Sequence, residues 1–263
     1  MVASLARDKV RFRRYVALGD SSTEGLDDPD GRGGFRGWST RLAERIAAGQ
    51  GGLLYANLAV RGYTTRRILE TQLHPALAMQ PDLVTLFSGT NDVVCRRFDP
   101  HQVGEDVGIM QRALIGQGAR LLTFTLPDLT LVMPAARWFA PRVQQLNEVL
   151  RETSRRTGAV LVDLAACPVA CDPRLWSEDR LHANALGHER IAAALAEALE
   201  LPGSDRSWAE PLPPSPAGSF TARVQSDLRW FRQYFLPWIW RQLNGRSLGD
   251  GRTATRPELG PVA

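Results

Sequence analysis

The sequence predicts a doubly wound α/β domain on an open parallel sheet, followed by an appended aromatic helix. Three observations carry this. Short apolar runs alternate with segments of helical period through the first 200 residues. The runs are apolar throughout, as strands buried on both faces are. Residues able to do chemistry stand directly after these runs or in the loop that follows, and the carboxyl ends of strands are where such sheets hold their ligands.

Residues 14–18 are a short apolar run that ends in Gly19-Asp20, and 38–48 are helical in period. Residues 53–60 read as a second strand and 82–88 (DLVTLFS) as a third. Residues 102–116 are helical, and 120–126 (RLLTFTL) form a fourth strand. Within 141–156, Val143, Leu146, Val149 and Leu150 recur at helical spacing. Residues 159–164 (AVLVDL) are a fifth strand. The series closes with a helix over 186–199 that puts Ile191, Ala194, Leu195, Ala198 and Leu199 on one face. Five strands in this length suit an open sheet better than an eight-stranded barrel.

The remainder reads differently. Pro202, Pro211, Pro213, Pro214 and Pro216 make 202–219 a linker or strap. Helical spacing returns over 220–244. There Phe220, Val224, Leu228, Phe231 and Phe235 form a stripe, Trp230, Tyr234 and Trp238 widen it, and Pro237 is expected to kink it. Beyond Gly245 the chain is polar, Gly-rich and expected to be extended. The expected division is a main domain over 1–201, a strap over 202–219, and an aromatic helical extension over 220–263 packed on the main domain.

Composition narrows the function classes. The chain has 263 residues, 44% hydrophobic and 23% charged, with a net charge of +4, which excludes wholesale disorder. No apolar run reaches the length of a membrane span. The start, MVASLARDKVRFRRYV, is charged where a secretory leader is apolar, so a cytoplasmic, reducing location is expected. Cys95, Cys167 and Cys171 are then expected as free thiols, and no Cys/His spacing asks for a metal. Basic residues number 24 against 23 acidic in residues 1–200, and 8 against 5 beyond them. No dense basic run marks a nucleic-acid footprint.

The polar residues after the strands form a coherent chemical set. A serine hydroxyl becomes a nucleophile when a base lies within hydrogen-bond reach, and that base is usually a His oriented by a carboxylate. Ser21 lies in a tight turn, Gly19-Asp20-Ser21-Ser22-Thr23-Glu24-Gly25. Asp179 and His182 are three residues apart, so one turn of chain can aim both the same way. Negative charge developing on a carbonyl oxygen needs donors. Gly62 offers a backbone N–H that no side chain blocks, and Asn91, in Gly89-Thr90-Asn91-Asp92, offers a side-chain N–H.

These four blocks resemble those of the SGNH (GDSL-type) hydrolase superfamily. Gly19-Asp20-Ser21 with Thr23-Glu24-Gly25 is similar to the first block, and Gly62 after Asn57-Leu58-Ala59-Val60 to the second. Gly89-Thr90-Asn91-Asp92 is similar to the third. Asp179-x-x-His182 with Asn184, Gly187 and His188 is similar to the last. The resemblance spans residues 12 to 200, in the family's order. Two positions depart from it: Ser22 stands where the family often has Leu, and Ala183 where it often has Pro. The second loosens the turn after His182.

The resemblance implies a flavodoxin-like three-layer α/β/α fold with a five-stranded parallel sheet, and a serine esterase. Ser21 would attack the acyl carbonyl, His182 would serve as general base and acid, and Asp179 would orient it. The backbone N–H groups of Ser21 and Gly62 and the side chain of Asn91 would hold the oxyanion. No cofactor or metal is implied, and the partner expected is a small-molecule ester. A thioesterase, lysophospholipase or carbohydrate deacetylase would use the same groups. Outside that class stand a non-catalytic binding module and a peripheral membrane protein using the aromatic helix with Arg223, Arg229, Arg232 and Arg241. Packing of that helix on the domain is preferred over a membrane surface, because burying aromatics is favourable by several kcal/mol. Asp20 is expected to brace the nucleophile turn, Asp92 to bond loop amides, and His188 to be a packing or surface residue. Trp176 reads equally as cleft lining and as packing.

Overall fold

A computed structural model describes residues 11–214, 220–237, 240 and 249–262. The charged start over 1–10, the end of the strap with Pro216, Trp238 of the aromatic stripe, and residues 241–248 with Arg241, Asn244 and Gly245 lie outside the described residues.

Each predicted strand forms. They are β1 (Arg14–Gly19), β2 (Leu54–Asn57), β3 (Leu83–Phe87), β4 (Arg120–Phe124) and β5 (Val160–Val162). Neighbours among these five pair in parallel. The helices are α1 (Ser21–Glu24), α2 (Gly37–Gln50), α3 (Thr65–Ala78), α4 (Thr90–Val94), α5 (Pro100–Gly116), α6 (Ala140–Thr157), α7 (Ala185–Ala198) and α8 (Phe220–Trp230). No helical signal in the sequence announces α3. Thr64 caps it by accepting from the Arg67 N–H, and Ile68 and Gln72 face inward, but Pro75 sits in its last turn and obscures the period. Elsewhere the caps set the starts. Asp99 caps α5, whose first residue is Pro100, and Asn184 caps α7 through the N–H groups of Leu186 and Gly187.

The period-2 geometry of a strand splits its side chains between two cores. On one face Tyr15, Phe87, Phe124 and Leu122 pack with Trp38 and Leu42 of α2 and with Ala192 and Leu195 of α7. On the other Val16, Leu18, Val84 and Leu86 pack with Ile68 of α3, Met110 and Leu114 of α5, and Leu146 of α6. A helix layer on each face gives the three layers. Phe87 and Phe124 stack at 4.2 Å, and Trp38 meets Phe124 edge-on at 5.3 Å. Each such ring withdrawn from water stabilises the fold by about 2–3 kcal/mol before entropy is counted.

The strand order is β5-β4-β3-β1-β2-β6, so the sheet has six strands where five parallel ones were expected. The sixth, β6 (Arg256–Pro261), pairs antiparallel with β2, and the Val262 N–H continues the ladder to the Leu53 carbonyl. The C-terminal extension is therefore not helical throughout. The physical reason is the open edge of β2, whose backbone groups need partners and accept any extended segment. Residues RPELGP lack alternation and contain two prolines, so they give no strand signal of their own. The strap is also more than a spacer. Trp208 is buried in the core beside α7, and Arg190 donates to the carbonyl oxygens of Ser207, Trp208 and Glu210.

The order reverses between β1 and β3, which places the ligand crevice beyond the carboxyl ends of those two strands. Ser21 follows β1 directly, and Asn91 follows β3.

Candidate active site

The turn carrying Ser21 is built by close approach. A Cβ on Gly19 would lie 2.2 Å from Thr23 Oγ1 and 2.7 Å from the Phe87 carbonyl oxygen, so only glycine lets β1 pass so near the end of β3. Gly89, at φ +110°, is the counterpart after β3, where a Cβ would meet Leu146 Cδ1 at 2.5 Å. Asp20 is fully buried and accepts from the Ser22 N–H at 3.1 Å, as expected of a brace. Burial pushes its carboxyl up to about 7, although the Ser22 N–H and the charge of His182 work against this.

Asp179 and His182 occupy one closed turn. Trp176 and Ala183 bridge its ends, the Ser177 N–H donates to the His182 carbonyl at 2.9 Å, and the Arg180 N–H donates to the Ser177 carbonyl at 3.0 Å. These bonds close the turn without the ring that Ala183 lacks. Asp179 Oδ1 accepts from the N–H groups of Leu181 and His182, each at 2.9 Å. Asp179 Oδ2 lies 2.5 Å from His182 Nδ1, and His182 Nε2 lies 2.7 Å from Ser21 Oγ. With Nδ1–H donated to the carboxylate, Nε2 is the lone-pair nitrogen that faces the hydroxyl.

The electrostatics match that arrangement. Burial alone would push the Asp179 carboxyl up. The bonds from the His182 ring and N–H and from Ser177 outweigh it and hold the group at about 2. Burial alone would push His182 down, but the bond to Asp179 and the nearby charges of Asp179, Asp27 and Asp20 raise it above the ordinary imidazole range.

The other two blocks converge on the same rim. Asn91 Nδ2 donates to the Tyr63 carbonyl at 2.9 Å and to Asp20 Oδ2 at 3.2 Å. It thereby ties the residue after Gly62 to the residue before Ser21. Glu24 binds the Arg61 N–H and guanidinium, which pins the loop carrying Gly62 to the turn of Ser21. Asp92 accepts from the N–H and hydroxyl of Thr65, the loop role expected of it. The Trp38 indole donates to Ser22 Oγ, a use that Leu would not provide.

Two further residues beside His182 carry no sequence signal. Asp27, in a left-handed conformation at φ 66°, has its carboxylate 3.9 Å from His182 Nδ1. Ser177 Oγ lies 2.6 Å from both Asp27 Oδ2 and Asp179 Oδ1. Neither residue belongs to a recognisable motif. Only a non-glycine at positive φ marks Asp27, and that is invisible in sequence. Ligand atoms of Asp27, Asp179 and His182 lie within 4.8 Å of one another, a spacing that also suits a cation, but here His182 and Asp179 direct theirs at each other.

A cavity of about 60 Å³ opens beside Ser21 and His182, with walls that include Phe87, Phe124, Leu126, Leu164, Leu175 and Trp176. Its walls come from the strand ends, the segment after β5, Gly187, Arg190 and Ile191 of α7, and Trp208 of the strap. Trp176 fills both roles considered for it. It lines this cavity, and its indole donates to the Ala170 carbonyl. Cys95, Cys167 and Cys171 are free.

Residues 17–190 match the model of the GDSL-like lipase/acylhydrolase family. The GDSL lipase Rv0518 of Mycobacterium tuberculosis is 28% identical over 203 residues, covering 73% of this chain and 83% of that protein. The fold is similar to the lipase/acylhydrolase from Enterococcus faecalis, with a TM-score of 0.60, 23% identity, and coverage of 74% of this chain and 100% of that one. It is also similar to the acetylxylan esterase Axe2 from Geobacillus stearothermophilus, with a TM-score of 0.61, 16% identity, and coverage of 78% and 100%.

Proposed function

Since this chain belongs to the GDSL-like lipase/acylhydrolase family and is thus a hydrolase acting on esters, we propose that it works as a serine esterase with Ser21, His182 and Asp179 as its triad. The observation that carries this is the unbroken hydrogen-bonded chain from Ser21 Oγ through the imidazole to the Asp179 carboxylate. Ser21 Oγ attacks the acyl carbon as His182 Nε2 takes its proton. Asp179 stabilises the imidazolium, which then protonates the leaving alcohol. Water, deprotonated by His182, cleaves the acyl-enzyme.

The oxyanion is held by the backbone N–H groups of Ser21 and Gly62 and by Asn91 Nδ2. Asn91 already has two acceptors, so substrate takes its N–H from the longer contact, the one to Asp20. The apolar cavity beside Ser21 receives the acyl group. At about 60 Å³ it is well below the roughly 150 Å³ that accommodates a benzene ring, so short acyl chains fit it best.

A panel of nitrophenyl esters of increasing chain length tests this, with Ser21→Ala as control. Activity is expected to be highest on the shortest chains, and Ser21→Ala is expected to lose about 10⁶-fold in kcat. A fluorophosphonate should label the protein at Ser21. Full activity in Ser21→Ala overturns the assignment, and unlabelled folded protein favours a binding module instead.

A further inference from the structure

We propose that α8 braces the turn carrying Asp179 and His182, with the Trp230 indole as a positioning residue for that pair. This rests on the assignment of Ser21, His182 and Asp179 as the acyl-transfer groups. The family match ends at residue 190, so the brace lies outside the matched region.

The contacts fall on three consecutive residues of the turn. The Trp230 indole N–H donates to the Asp179 carbonyl at 2.8 Å. The Arg180 guanidinium donates to Asp227 Oδ1 at 2.7 Å and to Ser226 Oγ at 2.9 Å, and lies 5.4 Å from the Trp230 ring centroid. The Tyr234 hydroxyl reaches Glu178 Oε2 at 3.4 Å. Asp227 and Trp230 are three residues apart on one face of α8, and the π-helical turn Phe231–Phe235 that continues it carries Tyr234 to the same side. Trp230 is buried, whereas Val224 and Leu228 on the same helix and Phe231 just after it are exposed. The Phe235 ring backs the indole at 5.2 Å.

The turn has need of such support. Arg180 is left-handed at φ 64°, a conformation that an L side chain disfavours and that persists only where surroundings over-determine it. The peptide unit between Asp179 and Arg180 carries the carbonyl that Trp230 holds. Fixing that unit fixes the Cα of Asp179, and with it the 2.5 Å contact of its carboxylate with His182 Nδ1. If the unit rotates, the carboxylate withdraws. The imidazolium formed in the transition state is then stabilised less, and His182 loses part of what raises its pKa.

The experiment uses the full chain with Trp230→Phe, which keeps the ring and removes the donor. On a short nitrophenyl ester, kcat is expected to fall about 3- to 10-fold with KM unchanged, the effect of one neutral hydrogen bond. The acid limb of the kcat/KM profile is expected to move to lower pH. Asp227→Asn, which weakens the hold on Arg180, is expected to act in the same direction and carries the test if Trp230→Phe does not fold. Wild-type kcat and an unmoved acid limb overturn the brace. So does a rise in KM alone, which would make α8 a wall of the substrate cleft. Ser21→Ala is assayed alongside: if it retains activity, the triad assignment fails, and if it alone is inactive, only the brace fails.

Discussion

The turn around His182 and the first turn of α7 around His188 lie six residues apart, and each buries an imidazole bonded at both nitrogens. Their chemistry is opposite. His182 meets a carboxylate at Nδ1 and a hydroxyl at Nε2. His188 accepts from the Trp38 N–H at Nδ1 and donates to the Leu26 carbonyl from Nε2, which defines one neutral tautomer. Burial lowers His188 to about 4, and the neighbouring charges of Asp28 and Arg41 leave that outcome intact. Burial acts on His182 in the same sense, yet its carboxylate neighbours raise it. The difference lies in which charges face the ring, since both rings are out of water. One histidine is thereby suited to move a proton, and the other is fixed as a structural tie between α7, α2 and the loop after α1.

After Ser21→Ala, the largest expected effect breaks the His182 side. Asp179→Asn should keep the shape but lower kcat about 10⁴-fold, because the amide favours the wrong imidazole tautomer. Its kcat/KM acid limb should fall below that of the wild type, measured on the same nitrophenyl ester. Next in size is a change outside the turn. Asn91→Ala should cost about 10²- to 10³-fold in kcat by removing one oxyanion donor. Its acid limb should move far less than that of Asp179→Asn, because Asn91 reaches His182 only through the charge of Asp20. A shift as large as that of Asp179→Asn would show that the contrast between the two histidines depends on more than the turn.

The smallest effect tests the His188 side and is read in stability. Its folded pKa lies below its unfolded value, so the unfolded chain binds more protons between pH 6.5 and about 4. The stabilisation is present above pH 6.5 and is lost as pH falls toward 4. From pH 7.5 to 5 the loss is about 2 kcal/mol. Denaturant unfolding of His188→Gln should show a correspondingly flatter pH dependence. His182 acts in the opposite sense. Its raised pKa gives stability below pH 6.5 that fades as pH rises through the folded value, while activity, which needs the neutral ring, increases over that range.

Much of the site was legible because it depends on local rules. Gly19 is required by the close passage of the turn carrying Ser21, Asp179 and His182 are brought together by a three-residue spacing, and polar residues at strand ends must gather on one rim of a parallel sheet. The illegible parts depend on contact between distant segments. The left-handed φ of Asp27 and the position of Ser177 between two carboxylates have no sequence signal. The aromatic stripe of α8 announced an amphipathic helix, but not that Trp230, in place of Phe231 or Leu228, would reach the Asp179 carbonyl.

The sequence by itself determined the five parallel strands and the chemical groups at their ends, since period and apolar content follow directly from which faces must leave water. Tertiary structure alone decided the rest. It set β6 on the open edge of β2, bound the strap through Trp208, and gave two nearby histidines opposite charge preferences. In each case the deciding partner lies far along the chain, and its contribution depends on geometry that only packing creates.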